Sequence, residues 1–185
     1  MPNEQAQQTI TTEQTETEQP IPRSNVNRFA YMAAESPALR GELRGSADHP
    51  SAEGSIFAYW LDGALYLQAE LVGLPPDRVF GFHIHDGIIC GSPDGAEPFT
   101  EAGTHLSLCP DGTWCGRHPY HAVDLPPIFS DSDGYAVMEV YIGKAQISDY
   151  SGKPIILHDM PDDFNTQPSG GSGKRIACGI FTEVL

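Results

Sequence analysis

Six of the seven histidines in this chain fall into four short groups whose spacing suits metal chemistry. His83 and His85 sit in GFHIHDG, at the end of a predicted strand. At a period of two both rings leave the same face, roughly 6.5–7 Å apart at Cα, which lets two imidazoles reach one ion. His118, His121 and Asp124 occur in HPYHAVD, three N and O donors within seven residues, with Pro119 stiffening the chain between them. Such a set can wrap a tetrahedral zinc, although alone it also reads as a polar surface loop. His105, in AGTHLSL, and His158, in IILHDMPDD, stand singly. A lone histidine ending an apolar strand is more often a hydrogen-bonded structural residue than a ligand, so the argument rests on the set. Imidazole suits copper and zinc, and only His49 lies outside the four groups.

Strands must hold these donors. Leu39–Gly45 reads as the first. Gly54–Leu61 and Ala64–Leu71 flank Asp62-Gly63, a two-residue turn suited to a type I′ hairpin. Leu65, Leu67, Ala69 and Leu71 alternate with Tyr66, Gln68 and Glu70, the pattern of a half-buried strand. Val79–His85 is next. Asp86 to Gly134 then carries Pro, Gly, Asp, Cys and three histidines with little strand pattern, and a loop of about that length inside a compact domain is usually functional. Strand signals return at Tyr135–Ile142, Pro154–His158 and Arg175–Val184, the last preceded by a second loop, Asp159 to Lys174. The expectation is an all-β fold, a Greek-key sandwich or barrel of about eight antiparallel strands with two long functional loops. Residues 1–25 are rich in Gln, Thr and Glu and are expected to be a disordered polar tail, leaving 26–185 as one domain.

The formal net charge of −15 excludes most nucleic-acid binding, which needs clustered Lys and Arg. The tail carries only −3 of it, so the acidity belongs to the folded part. No apolar run approaches the roughly 18–20 residues of a membrane span. The N-terminus lacks a basic stretch followed by an apolar core, so the expectation is a cytoplasmic rather than a secreted protein. Four cysteines could form two bridges. Nothing in the pattern separates a monomer from a homodimer.

The segments GFHIHDGIIC (81–90), HPYHAVDLPP (118–127), IILHDMPDDF (155–164) and GSGKRIACGI (171–180), taken in order, resemble the copper–zinc superoxide dismutases, and more closely their short bacterial branch. The resemblance runs from about Leu39 to the C-terminus. It implies an enzyme that converts superoxide to dioxygen and hydrogen peroxide, with one copper and one zinc per chain and copper cycling between Cu(II) and Cu(I). His83, His85 and His158 would bind copper, and His105 would bridge copper to zinc and exchange a proton during turnover. His118, His121 and Asp124 would complete the zinc site. Asp162 matches the outer aspartate that hydrogen-bonds a ligand from each site. Cys90 and Cys178 match the family's disulfide, and Arg175 matches the arginine at the mouth of the copper site, where a fixed guanidinium would attract a small anion. A non-enzymatic copper- or zinc-binding module on the same fold is the alternative; it needs ligands but no anion guide, so Arg175 favours the enzyme.

The chain departs from the family pattern in places. Thr104-His105-Leu106-Ser107-Leu108 replaces the usual Gly-His-Phe/Tyr-Asn-Pro, so the bridging role of His105 rests on order and on Ala102-Gly103 before it. Val123 stands where a glycine is expected before the zinc aspartate, which would strain a tight loop. Cys109 and Cys115 flank Pro-Asp-Gly-Thr-Trp; a local disulfide or two free thiols are favoured over thiolates competing for zinc. Lys174 is the only lysine between His158 and Arg175, so weak electrostatic steering is expected.

Overall fold

Alternation of apolar and polar side chains builds most of the fold. In the computed structural model, which describes residues 36–61, 64–108, 116–143 and 146–184, strand β1 (Leu39–Gly45) turns Leu39, Gly41 and Leu43 inward and Arg40, Glu42 and Arg44 outward. β2 (Glu53–Leu61) and β3 (Ala64–Val72) pair in register, Ala58 opposite Leu67 and Ile56 opposite Ala69, so their inward residues meet in one core. β4 (Val79–Phe80), β5 (Phe82–Ile84), β6 (Ile128–Phe129), β7 (Ala136–Ile142), β8 (Pro154–His158), β9 (Arg175–Ile180) and β10 (Thr182–Glu183) follow. The larger sheet runs β5-β8-β9-β1-β2-β3-β7, with β10 also paired to β1, and β4-β6 forms a small second sheet. All these pairs are antiparallel. Leaving β3 to return beside it as β7, and leaving β5 to return as β8, makes the Greek-key crossovers and curls the sheet around its core.

β8 does not alternate. All five of its residues are buried, because one face packs on the core through Ile155 and Leu157 while the other, at Ile156, is covered by the first long loop. There Phe99, Ala102 and Cys90 pack on Ile156 and Cys178, and the Cys90–Cys178 disulfide joins loop to sheet across 88 residues of chain. A continuous apolar strand is what burial on two faces requires.

Three local expectations differ from the structure. The single strand over Val79–His85 divides at Gly81, because β4 pairs with β6 and β5 with β8. Gly81 turns instead to the second loop: its N–H donates to Met160 O at 2.8 Å and its carbonyl accepts from His158 N at 2.9 Å. A Cβ there would lie 2.8 Å from Ser172 Oγ, so glycine permits the close approach. The last predicted strand divides at Phe181, whose N–H donates to Lys153 O rather than to a neighbouring strand. Val123 is not strained: among the described residues the non-glycine positive φ values belong to Asp77, Phe99 and Phe164, and Val123 is a fully buried member of the core.

A short helical turn, Ile147–Tyr150, was not anticipated. Among the described residues no helix is long and apolar enough to cross a membrane. The polar tail over 1–25, the Asp62-Gly63 turn, Cys109 and Cys115 lie outside the described residues.

Candidate metal centre

The free edge of β5 gathers the donors. His83 lies within β5 and His85 just beyond it, and the backbone opposite is supplied by both ends of the first loop's histidine region. His85 forms an antiparallel bridge with His105, and His83 one with Asp124. Leu106 N donates to Ile84 O at 3.0 Å, and Ile84 N donates to Val123 O at 3.4 Å. His158 enters from the other side, at the end of β8, where the ladder to β9 shifts register.

Two groups result: His83, His85, His105 and His158, and His105, His118, His121 and Asp124, each with one atom per residue lying within 4.8 Å of the others. All six histidines are buried, none more than 8% exposed. Rings so placed must be hydrogen-bonded or bind something, since a bare buried nitrogen costs about 1–3 kcal/mol.

In the first group each ring has one nitrogen engaged by the protein. His83 Nε2–H donates to Asp162 Oδ2 at 2.9 Å, His85 Nδ1–H to Gly103 O at 3.1 Å, and His158 Nδ1–H to Gly173 O at 3.4 Å. Those bonds set the tautomers and leave His83 Nδ1, His85 Nε2 and His158 Nε2 as the lone-pair nitrogens. His83 Nδ1 and His105 Nε2 have no hydrogen-bond partner, and His85 Nε2 and His158 Nε2 face each other at 3.4 Å, so both point into one space.

The second group converges on the Asp124 carboxylate. His105 Nδ1 lies 2.8 Å from Oδ1, and His118 Nδ1 and His121 Nδ1 lie 3.1 and 3.0 Å from Oδ2. Three nitrogens and a carboxylate oxygen are the donor set of a tetrahedral zinc. The two sets thus fit the groups they would hold, on orphaned atoms as well as on residue type. Asp162 links them. Its Oδ1 accepts His118 Nε2–H at 2.9 Å and Phe164 N–H at 2.6 Å, while its Oδ2 holds His83.

Electrostatics favour the metal-binding forms. Burial pushes His83 down to about 4 and His85 and His158 well below the usual imidazole range, so these rings are neutral near pH 7. Burial pushes Asp124 up, but the hydrogen bond from His105 and the charges of His105, His121 and His118 outweigh it and hold the carboxyl at about 2. Arg175 opens β9 half-buried, its guanidinium donating from Nη1 to Phe99 O and from Nη2 to Gly103 O. Burial lowers its pKa while the charges of Glu97 and Asp86 raise it, and it stays protonated. It lines a cavity of about 240 Å³ beside the first group, together with His85, His105 and His158.

This geometry accords with the sequence comparisons. The family model for copper/zinc superoxide dismutase (SODC) matches residues 54–181. The chain belongs to that family. A "Superoxide dismutase [Cu-Zn]" of Caulobacter vibrioides is 39% identical over 129 residues, 62% of this chain and 70% of that protein. "Superoxide dismutase [Cu-Zn] 2" of Aquifex aeolicus is 27% identical over 79% of this chain and 91% of its own length. The crystal structure of a mutant SOD-like protein from Bacillus subtilis superposes with a TM-score of 0.60 at 30% identity, covering 77% of this chain and 97% of that one. Members of the copper/zinc superoxide dismutase family use copper and zinc, and the two donor groups supply one place for each.

Every site residue expected from sequence lies in this centre or beside it: His83, His85, His105, His118, His121, His158, Asp124, Asp162 and Arg175, with Cys90 bonded to Cys178. His49 stays apart, 3.4 Å from Ser46 Oγ. Sequence reasoning missed the carbonyls of Gly103 and Gly173, which orient His85 and His158. It also missed Phe164, stacked on His118 with ring centroids 6.5 Å apart, and Gln167, whose Nε2 donates to His118 O at 2.6 Å. Backbone acceptors have no signature in a sequence. Gln167 has a faint one, a polar residue in a loop otherwise free to be solvated.

Proposed function

We propose that this chain dismutates superoxide, two superoxide anions and two protons giving dioxygen and hydrogen peroxide, at a copper held by His83, His85, His105 and His158 beside a zinc held by His105, His118, His121 and Asp124. The observation carrying this reading is His105, the one residue common to both donor groups. Its Nδ1 faces Asp124 and its Nε2 is buried without a hydrogen-bond partner. When bound, copper supplies the one-electron chemistry, alternating between Cu(II) and Cu(I), that oxidises one superoxide and reduces the next.

The remaining steps belong to side chains. Arg175 draws the anion into the cavity and hydrogen-bonds it, its fixed fork matching a small two-oxygen species. His105 takes up a proton at Nε2 and returns it to the product, while Asp124 and the zinc-side set keep its Nδ1 in place. Asp162 and the carbonyls of Gly103 and Gly173 hold the other rings in the tautomers that point lone pairs at the metal. A storage module on the same fold would need no guanidinium held over the cavity, so Arg175 supports the enzyme.

Metal content measured with superoxide decay tests the proposal. The loaded protein is expected to hold about one copper and one zinc per chain, and His83→Ala is expected to abolish decay while the fold persists. Zinc alone after copper loading, or undiminished decay in the variant, refutes the assignment.

A further inference from the structure

We propose that Glu97 is an electrostatic brake on anion entry to the copper-side cavity, setting how fast a small anion reaches Arg175; this rests on the function proposed above. The cavity wall carries two charged side chains among the described residues, Arg175 and Glu97. They are held differently. Both terminal nitrogens of Arg175 are pinned to carbonyls, one of them Phe99 O, only two residues from Glu97. Glu97 is exposed at the rim, and among the described residues its carboxylate accepts no hydrogen bond and makes no close ion pair. It is close enough to Arg175 to offset part of the burial effect on the guanidinium.

An incoming anion therefore meets one attractive and one repulsive unit charge in the cavity wall. Asp86, hydrogen-bonded by Thr104, adds a second negative charge near Arg175, on a chain whose net charge of −15 already repels the anion. Thr100 and Thr104, also in the wall, contribute no charge. A unit charge about 8 Å from an anion in water changes the local anion concentration roughly two- to threefold. Removing the charge at Glu97 should raise entry by about that factor, and reversing it by about the square, some four- to ninefold.

The test uses the copper- and zinc-loaded protein with Glu97→Gln and Glu97→Lys. Two quantities are read at low and at high salt: the second-order rate of superoxide decay, and the affinity for azide, a small anion followed by its charge-transfer absorption on copper. At an ionic strength of about 0.01 M, where screening is weak, Glu97→Gln should raise the rate and tighten azide about two- to threefold, and Glu97→Lys about four- to ninefold. Near 1 M both advantages should disappear. Unchanged azide affinity in both variants at low salt overturns the proposal. So does a gain that survives high salt, which would mark a change of cavity shape rather than of charge. A wild-type protein that binds azide but leaves superoxide untouched would refute the proposed function alone, and the azide series would still decide the role of Glu97.

Discussion

Asp162→Asn isolates what one buried carboxylate does for the whole centre. Asp162 accepts three hydrogen bonds: from His83 Nε2 at 2.9 Å on one oxygen, and from His118 Nε2 at 2.9 Å and Phe164 N at 2.6 Å on the other. Its side chain is fully buried, and these bonds hold its pKa below the usual carboxylate range against the opposing effect of burial. An asparagine has one accepting oxygen and one donating NH2. The less costly orientation keeps the oxygen on the side with two donors, His118 and Phe164, and points NH2 at His83. That sets donor against donor across 2.9 Å unless His83 moves its proton from Nε2 to Nδ1. Nδ1 is the buried nitrogen left free for copper, so the conflict is passed to the copper side.

Losing one charge-assisted bond should cost the metal-free protein about 1.5–3 kcal/mol. Copper affinity should fall about 10–100-fold, as when the outer partner of a ligating histidine is removed. Zinc affinity should fall much less. Chelator competition for each metal, with urea denaturation of the metal-free protein, reads all three. Equal losses of copper and zinc, or no loss of copper, would refute the argument that Asp162 sets the His83 tautomer.

Gly170→Ala should damage the same bridge, since a Cβ at φ +66° would sit 1.7 Å from Asp162 Oδ1 and 2.8 Å from His118 Nε2. The backbone conformation alone costs about 1–2 kcal/mol in a residue with a side chain, and calorimetry is expected to show a lowered Tm with weakened zinc binding. Reducing Cys90–Cys178 should cost about 2–5 kcal/mol, because the bond closes 88 residues of chain. It should also lower superoxide decay more than metal content, because the loop it anchors carries the Phe99 and Gly103 carbonyls that hold Arg175.

The metal-free protein should also lose stability as pH falls below about 6.5. In that range the unfolded chain binds a proton that the folded His83, depressed to about 4, refuses; the ring alone accounts for about 3 kcal/mol between those values. His85 and His158 act in the same direction. Denaturation midpoints that stay flat from pH 7 to 4 would contradict this.

The strands that alternate were legible in the sequence. β1 runs over the predicted residues, and β2 and β3 differ from expectation by one residue at an end. β8 was legible for another reason, as a short apolar run ending in a histidine. What escaped was every change of partner. Nothing in Val79–His85 marks Gly81 as the point where pairing passes from β6 to β8, because that choice is made by Met160 and Ser172, some eighty to ninety residues later in the chain. The helical turn at Ile147–Tyr150 falls in the same class, since four residues carry too little periodicity to read. In the centre, donor types and their order were visible. The carbonyls that orient them were not, being common to every residue.

His105 shows why a drifted motif need not move a ligand. Its neighbours Leu106, Ser107 and Leu108 differ from the family pattern, yet its position asks of them only backbone groups and, at Leu106 and Leu108, apolar side chains for the core. The His85–His105 bridge and the bond from Leu106 N to Ile84 O fix the backbone to the edge of β5, and Ala122 N, donating to Leu108 O at 2.6 Å, ties the far end of the segment to the His121–Asp124 turn. Leu106 and Leu108 are buried in the main core, which holds the same stretch from beneath. A strand edge accepts any residue that can offer an N–H and a carbonyl, and a core accepts any apolar side chain of suitable volume. Both constraints leave the sequence around His105 free to vary while its two nitrogens continue to face the two donor groups.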